Sequence, residues 1–159
     1  MRTIDSPEFS LIQSFAAEFD VASPPAGPGD DCALIRPGKR DLCVTTDSVI
    51  EGVHFDLRRF SFEDVGHKAL AVNLSDLAAM GAIPRWFLCA LGLPPKLRRG
   101  VRRIAAGMSR LAQLYRAELV GGNVSAAPEL SITLTAIGEV ERGGELTRSG
   151  GRIGDLLYV

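Results

Sequence analysis

Carboxylates and hydroxyls gather where this chain must turn. Gly29-Asp30-Asp31 follows a proline- and glycine-rich loop at 23–29, and Thr45-Thr46-Asp47-Ser48 closes a short β-branched stretch that leads toward Glu51-Gly52-Val53-His54. A third carboxylate, Asp76, lies in the apolar stretch 71–80, three residues after Asn73. Mg²⁺ wants hard oxygen ligands in an octahedron. It commonly bridges one or two carboxylates to substrate phosphates while keeping several waters. Aspartate, threonine hydroxyl and backbone carbonyl are the right ligand types.

Each aspartate taken alone is an ordinary turn former or strand terminator. Asp76 is different, because its surroundings are too apolar for a solvent-facing helix and the i, i+3 spacing puts it on one face with Asn73. A buried carboxylate without a partner is costly, so Asp76 should meet a cation or a set of donors. Two partners stay open: an ion pair with Lys68, two turns earlier, or a metal shared with Asp30 and Asp47.

Gly121-Gly122-Asn123 is a further candidate, since glycines let backbone amides approach an anion closely. The sequence has neither G-x-x-x-x-G-K-[ST] nor G-x-G-x-x-G after a strand, so a nucleotide site here must use another geometry. His54 is a possible base or substrate contact, weighed against a plain surface side chain. No Ser-His-Asp or Cys-His arrangement is legible, so no covalent catalytic residue is expected. The scattered Cys32, Cys43 and Cys89 read as small core residues.

Several elements must hold these groups. Asp5-Ser6-Pro7-Glu8 starts a short amphipathic helix carrying Leu11, Ile12, Phe15, Ala16 and Phe19. Residues 32–36 and 42–46 read as a hairpin around Pro37-Gly38. Ser61-Phe62-Glu63-Asp64 resembles a capping box with Asp in place of Glu, opening a helix to about Gly81. Trp86 to Leu93 is a buried strand. A second helix follows, with Leu97, Val101, Ile104, Met108, Leu111 and Tyr115 at helical spacing, and it is expected to end in Leu119-Val120. Its Arg98, Arg99, Arg102, Arg103 and Arg110 read as a solvated face. Residues 130–136 alternate at period two, which favours antiparallel pairing, and another strand is expected from Ile153.

The chain has 159 residues, 46% hydrophobic, with 18 basic and 19 acidic side chains. That size suits a single α/β-type domain, and the balance of charge gives no case for nucleic acid or an anionic membrane. No stretch has the length to span a bilayer, and the first residues lack the apolar run of a signal peptide. With three cysteines and no CxxC spacing, a reducing cytoplasm is the expected setting.

The phrases Gly29-Asp30-Asp31-Cys32-Ala33, Thr45 through Phe55, Lys68 through Ala82 with its Asn73-Leu74-Ser75-Asp76-Leu77-Ala78-Ala79-Met80-Gly81-Ala82, and Gly121-Gly122-Asn123 together resemble the thiamine-monophosphate kinases. The resemblance runs from about residue 8 to the end. It implies an α+β domain of the aminoimidazole ribonucleotide synthetase-like superfamily, which also holds selenide water dikinase and a hydrogenase-maturation protein. Such a domain has a mixed, mainly antiparallel sheet with helices on one face. It further implies a homodimer formed through strands, with ATP near the subunit interface.

By motif, Asp30, Thr45, Thr46, Asp47, Asp76 and Asn123 would hold several Mg²⁺ ions on the ATP phosphates. Gly121, Gly122 and Arg148 would contact ATP, and His54 would contact thiamine monophosphate. Many members of the family carry Asp where this chain has Asn123. The implied reaction, phosphorylation of thiamine monophosphate to thiamine diphosphate, joins two anions, so metal-assisted charge neutralisation can replace a protein nucleophile. The resemblance makes residues 1–159 one ATP- and magnesium-binding domain with its core at 26–140. It also implies continuation into a carboxy-terminal domain that supplies further ligands.

Overall fold

The computed structural model describes residues 31–156 and residue 158. The expected helix after Asp5, the loop at 23–29 and Asp30 lie outside the described residues.

Strand β1 (Ala33–Ile35) pairs antiparallel with β2 (Arg40–Ile50), Leu34 facing Cys43, so the expected hairpin forms. Beyond it β2 runs beside β5 (Ser131–Glu141), antiparallel along its whole length from Arg40 opposite Glu141 to Ile50 opposite Ser131. The other side of β5 pairs antiparallel with β3 (Ile83–Leu93), and β4 (Glu118–Ala126) adds to β3 in parallel. The sheet order is thus β1-β2-β5-β3-β4. Parallel neighbours need a crossover, supplied here by a 3₁₀ turn at Pro95–Gly100 and a helix at Val101–Tyr115.

The strand period decides which face is covered. Ile132, Leu134, Ala136 and Val140 of β5 are buried, whereas Ser131, Thr133, Thr135 and Ile137 between them are half-buried. Helix α1 (Phe62–Ala79) lies on the covered face and sends Val65, Ala69, Leu70, Leu74 and Leu77 into the core. Burying each such side chain contributes roughly 1.5–3 kcal/mol. Ser61 caps α1 as expected: its hydroxyl accepts from the Asp64 amide at 3.1 Å, and the Asp64 carboxylate accepts from the Ser61 amide at 3.0 Å.

The second helix, α2 (Val101–Tyr115), crosses α1 at very short range. A Cβ on Gly66 would fall 2.0 Å from the Ile104 carbonyl oxygen, and one on Gly107 would fall 1.9 Å from that of Glu63. Only glycine allows this approach. Arg103 spans the same junction to Glu63 at 2.7 Å, while Arg98, Arg99, Arg102 and Arg110 are exposed, as read from the sequence.

Three expectations need correction. The strand from Trp86 to Leu93 is buried on one face only, where Phe87, Leu91 and Leu93 sit, while Leu88 and Ala90 on the other face are exposed. The helix stops at Tyr115 because Arg116 turns into the left-handed region, φ 55°, and its amide closes the last turn on Ala112 and Gln113. Leu119, Val120 and Gly121-Gly122-Asn123 therefore belong to an edge strand, not to a helix end and a loop. Nor does a strand start at Ile153: the Asp155 amide donates to the Arg152 carbonyl at 3.1 Å around Gly154, φ 104°, making a turn.

Candidate functional site

The carboxylates meet where the middle of β2 passes under the C-terminal half of α1. Asn73 and Asp76 share the sheet-facing side of the helix, as their spacing requires, with Asn73 fully buried and Asp76 half-buried. The Thr45 hydroxyl, on the covered face of β2, donates to Asp76 Oδ2 at 2.7 Å. Asp47 follows two residues on, one carboxylate oxygen accepting its neighbour Ser48's amide at 2.9 Å.

Asp31 and Arg148 complete the group. The Arg148 guanidinium reaches Asp31 at 2.7 Å, carried there by the segment after β5. That segment is tied down twice: Arg36 bonds Glu145 at 3.1 Å, and the Leu146 amide donates to the Met80 carbonyl at 3.1 Å. Burial pushes the Asp76 carboxyl above its ordinary range, and the charges of Asp47 and Asp31 push it further. The Thr45 hydroxyl and Arg148 oppose the shift.

The ion pair between Asp76 and Lys68 does not form. Lys68 turns the other way, donating to the His54 carbonyl and lying 5.6 Å from the centroid of the Phe60 ring. Asp76 thus faces two further carboxylates with one hydroxyl and the Asp31-bound arginine as counterweights, an arrangement that a divalent cation would relieve.

Among the described residues no three carboxylate, imidazole or thiol groups converge tightly enough to enclose a metal. Mg²⁺ does not need such a cage, since one or two carboxylates, waters and phosphate oxygens complete its shell. Asp76 and Asp47 fit that role, with Thr45 beside them.

The remaining sequence candidates are dispersed. Thr46 points to the opposite, uncovered face, where its hydroxyl donates to the Leu134 carbonyl at 3.0 Å and accepts from Thr135 at 3.3 Å. Gly122 lies level with Asp47 in the sheet, through Leu134 and Cys89, but on the far side of β5 and β3. Three strand spacings make that separation about 14 Å, so one chain does not bring Gly121-Gly122-Asn123 onto the aspartates.

His54 stands in the exposed turn after β2. Its backbone amide donates to the Ile50 carbonyl at 2.8 Å, and its Nδ1 accepts from the Ile50 amide at 3.2 Å. His54 borders a 560 Å³ cavity lined also by Asp56, Arg58, Arg59 and Phe60. A second cavity, 320 Å³ and mostly apolar, lies between α2 and β4. Ile104, Ala105, Met108, Gly121, Gly122 and Asn123 are among its walls.

Sequence reasoning missed Asp31, whose pairing with Arg148 depends on a contact 117 residues apart in the chain. The only available signal was its place beside Asp30. It also missed Lys68 as a neighbour of His54, because the distance in sequence hides that β2's terminal turn folds back on the first turns of α1.

Residues 29–140 match the family model described as AIR synthase related protein, N-terminal domain. The thiamine-monophosphate kinase of Bacillus subtilis is 42% identical over 157 residues, covering 96% of this chain and 48% of that protein. The kinase of the same name from Escherichia coli K12 is also 42% identical, covering 96% of this chain and 47% of its own length. Among solved structures, AaThiL complexed with AMPPCP and TMP superposes with a TM-score of 0.81 at 39% identity, covering 98% of this chain and 48% of that one. The chain spans about half the length of the relatives it matches.

Proposed function

We propose that this chain, which belongs to the family of AIR synthase related protein N-terminal domains, binds ATP with magnesium for phosphoryl transfer to thiamine monophosphate. The observation that carries the reading is the meeting of Thr45, Asp47 and Asp76 beside the Asp31–Arg148 pair. Relatives at 42% identity named thiamine-monophosphate kinase support the acceptor. So does the similar structure complexed with AMPPCP and TMP.

Asp76 and Asp47 would hold Mg²⁺, with Asp30 as a further ligand from outside the described residues. Bound there, the metal supplies charge neutralisation for the phosphates of donor and acceptor. The chain's own groups do the rest. Thr45 orients Asp76, Arg148 offers donors beside the cluster, and His54 faces the acceptor. The apolar 320 Å³ cavity beside Gly121 and Gly122 has the size and lining for a purine ring.

The uncovered sheet face carries Leu42, Val44, Ile50, Trp86, Leu88 and Ile137, none of them fully buried. We place a second copy of the chain there. A homodimer of that kind would also offer Thr46 and Asn123 a site shared between copies, since both point to this face by register. The free thiols and the need for ATP support a cytoplasmic setting.

Calorimetry of ATP binding to this chain, with magnesium and with EDTA, checks the metal site. Thiamine diphosphate formation by the full-length gene product checks the acceptor. Binding of ATP that is equally tight in EDTA, or no thiamine diphosphate from ATP and thiamine monophosphate, would overturn the respective part.

A further inference from the structure

His54 is held at three points, and each belongs to a different kind of contact. Its backbone amide donates to the Ile50 carbonyl at 2.8 Å and its ring Nδ1 accepts from the Ile50 amide at 3.2 Å. The third point is its own carbonyl, which takes a hydrogen bond from the Lys68 ammonium. Lys68 comes from α1 rather than from the turn, and its ammonium also sits over the Phe60 ring at 5.6 Å, on the far side of the same loop. The turn is closed further by the Gly52 amide on the Phe55 carbonyl at 2.8 Å.

A neutral imidazole has one donor nitrogen and one acceptor nitrogen. With Nδ1 accepting from a backbone amide, the proton must sit on Nε2. That nitrogen is the ring's remaining polar atom, and His54 lines the 560 Å³ cavity together with Arg58 and Arg59. The sequence leaves Lys68 open as one of two partners for Asp76, and the structure leaves that pairing unmade.

We infer that Lys68 is a positioning residue for His54. By fastening the His54 carbonyl to the rigid helix α1, it holds the turn in which the imidazole is a neutral Nε2–H donor facing the acceptor cavity. The inference rests on the reading that His54 meets the acceptor, but the state of the ring can be measured without any acceptor present. A backbone carbonyl held by an ammonium is a charge-assisted hydrogen bond, and the cation over Phe60 adds a second hold on the same side chain. Lys68→Met keeps the stem and removes both.

The test is nitrogen-resolved NMR of the imidazoles in this 159-residue chain, joined to binding of thiamine monophosphate and of ATP. The chain has two histidines, so His67 serves as the internal control. In the unaltered chain at neutral pH, His54 should show an acceptor-type Nδ1 and a proton-bearing Nε2. In Lys68→Met the two His54 resonances should move toward an average of the two tautomers while His67 stays in place. Thiamine monophosphate affinity should drop about tenfold with ATP affinity unchanged, a loss on the scale of one charge-assisted bond. Lys68→Arg should restore the His54 pattern.

An unchanged His54 spectrum in Lys68→Met overturns the inference. So does an equal loss of ATP and thiamine monophosphate affinity, which would mark Lys68 as merely structural. If the spectra behave as expected but thiamine monophosphate does not bind even to the unaltered chain, the acceptor reading fails while the positioning of His54 stands.

Discussion

Thr45 and Asp76 meet across a 2.7 Å hydrogen bond that joins the second strand of the sheet to the first long helix. This bond fixes the direction of a carboxylate whose neighbours are Asp47 and Asp31. A hydroxyl donor orients Asp76 without neutralising it, which suits a group meant to receive a cation.

Asp76→Asn should therefore spare the fold and remove the function. The amide still fits beside Thr45 and sheds the repulsion of Asp47 and Asp31, so the melting temperature should hold or rise. Removing a metal ligand of this type costs activity by about a hundredfold or more, given the several kcal/mol a metal supplies to charge stabilisation. Thermal melting of this chain and turnover of the full-length gene product check the two halves. A protein that unfolds yet keeps its activity per folded molecule would mark Asp76 as structural.

The pH dependence of stability carries the same signature. Asp76 has a folded pKa raised above its unfolded value, chiefly by burial. In the window between those two values the folded state holds more protons than the unfolded one, so its contribution falls as pH rises. The contribution is fully present below the ordinary carboxylate range and lost above the raised one. Asp56, held down to about 2 by the Arg58 guanidinium, has the opposite sign. The informative quantity is thus the difference between the unaltered chain and Asp76→Asn. Denaturant melts across the acid range should show a falling difference without magnesium and a flatter one with it. No difference at any pH would remove Asp76 from the cluster's electrostatics.

Leu88 is 38% exposed on the uncovered face of the sheet, level with Thr135 and Gly121. A carboxylate placed there disturbs no buried contact but would be stranded in an apolar interface between two copies. Leu88→Glu should convert a dimer to a monomer while leaving the melting temperature of the isolated domain nearly unchanged. Sedimentation measures the outcome, and a chain that is monomeric before the substitution sinks the dimer reading.

Much of this was legible from residue order. The hairpin, the capped helix from Ser61, the alternating last strand and the shared face of Asn73 and Asp76 all follow from periods of two and 3.6 residues and from turn chemistry. What was hidden depends on partners distant in the chain. A parallel edge strand at Glu118–Ala126 has no alternation to announce it, because all of its residues are exposed. Lys68 and Asp76, eight positions apart on one helix, looked like partners in one dimension. In three dimensions the helix gives them different neighbours, His54 for one and Thr45 for the other. The strand read at 42–46 already sets Thr45 and Thr46 on opposite faces; what the sequence hides is their different neighbours, Asp76 for one and Leu134 for the other.

Gly121 and Gly122 look equivalent in the sequence, and the structure separates them. A Cβ on Gly122 would lie 2.0 Å from the Cys89 carbonyl oxygen, inside the β3–β4 pairing, so that glycine is required by the sheet whether or not a nucleotide binds. A Cβ on Gly121 would meet only Leu88 Cδ2 at 3.6 Å, an ordinary contact. Gly122→Ala should therefore cost about 1–3 kcal/mol of stability, as overpacking against rigid neighbours does. Gly121→Ala should leave the melting temperature almost unmoved. If phosphates or ribose approach the backbone at this strand, the added methyl of Gly121→Ala obstructs them directly, and ATP affinity should fall about tenfold through lost contacts worth one or two hydrogen bonds. Melting and calorimetric ATP titration of the two variants side by side read these effects separately. An intact ATP affinity in Gly121→Ala would leave Gly121 with no part in nucleotide binding, and its neighbour with only a structural one.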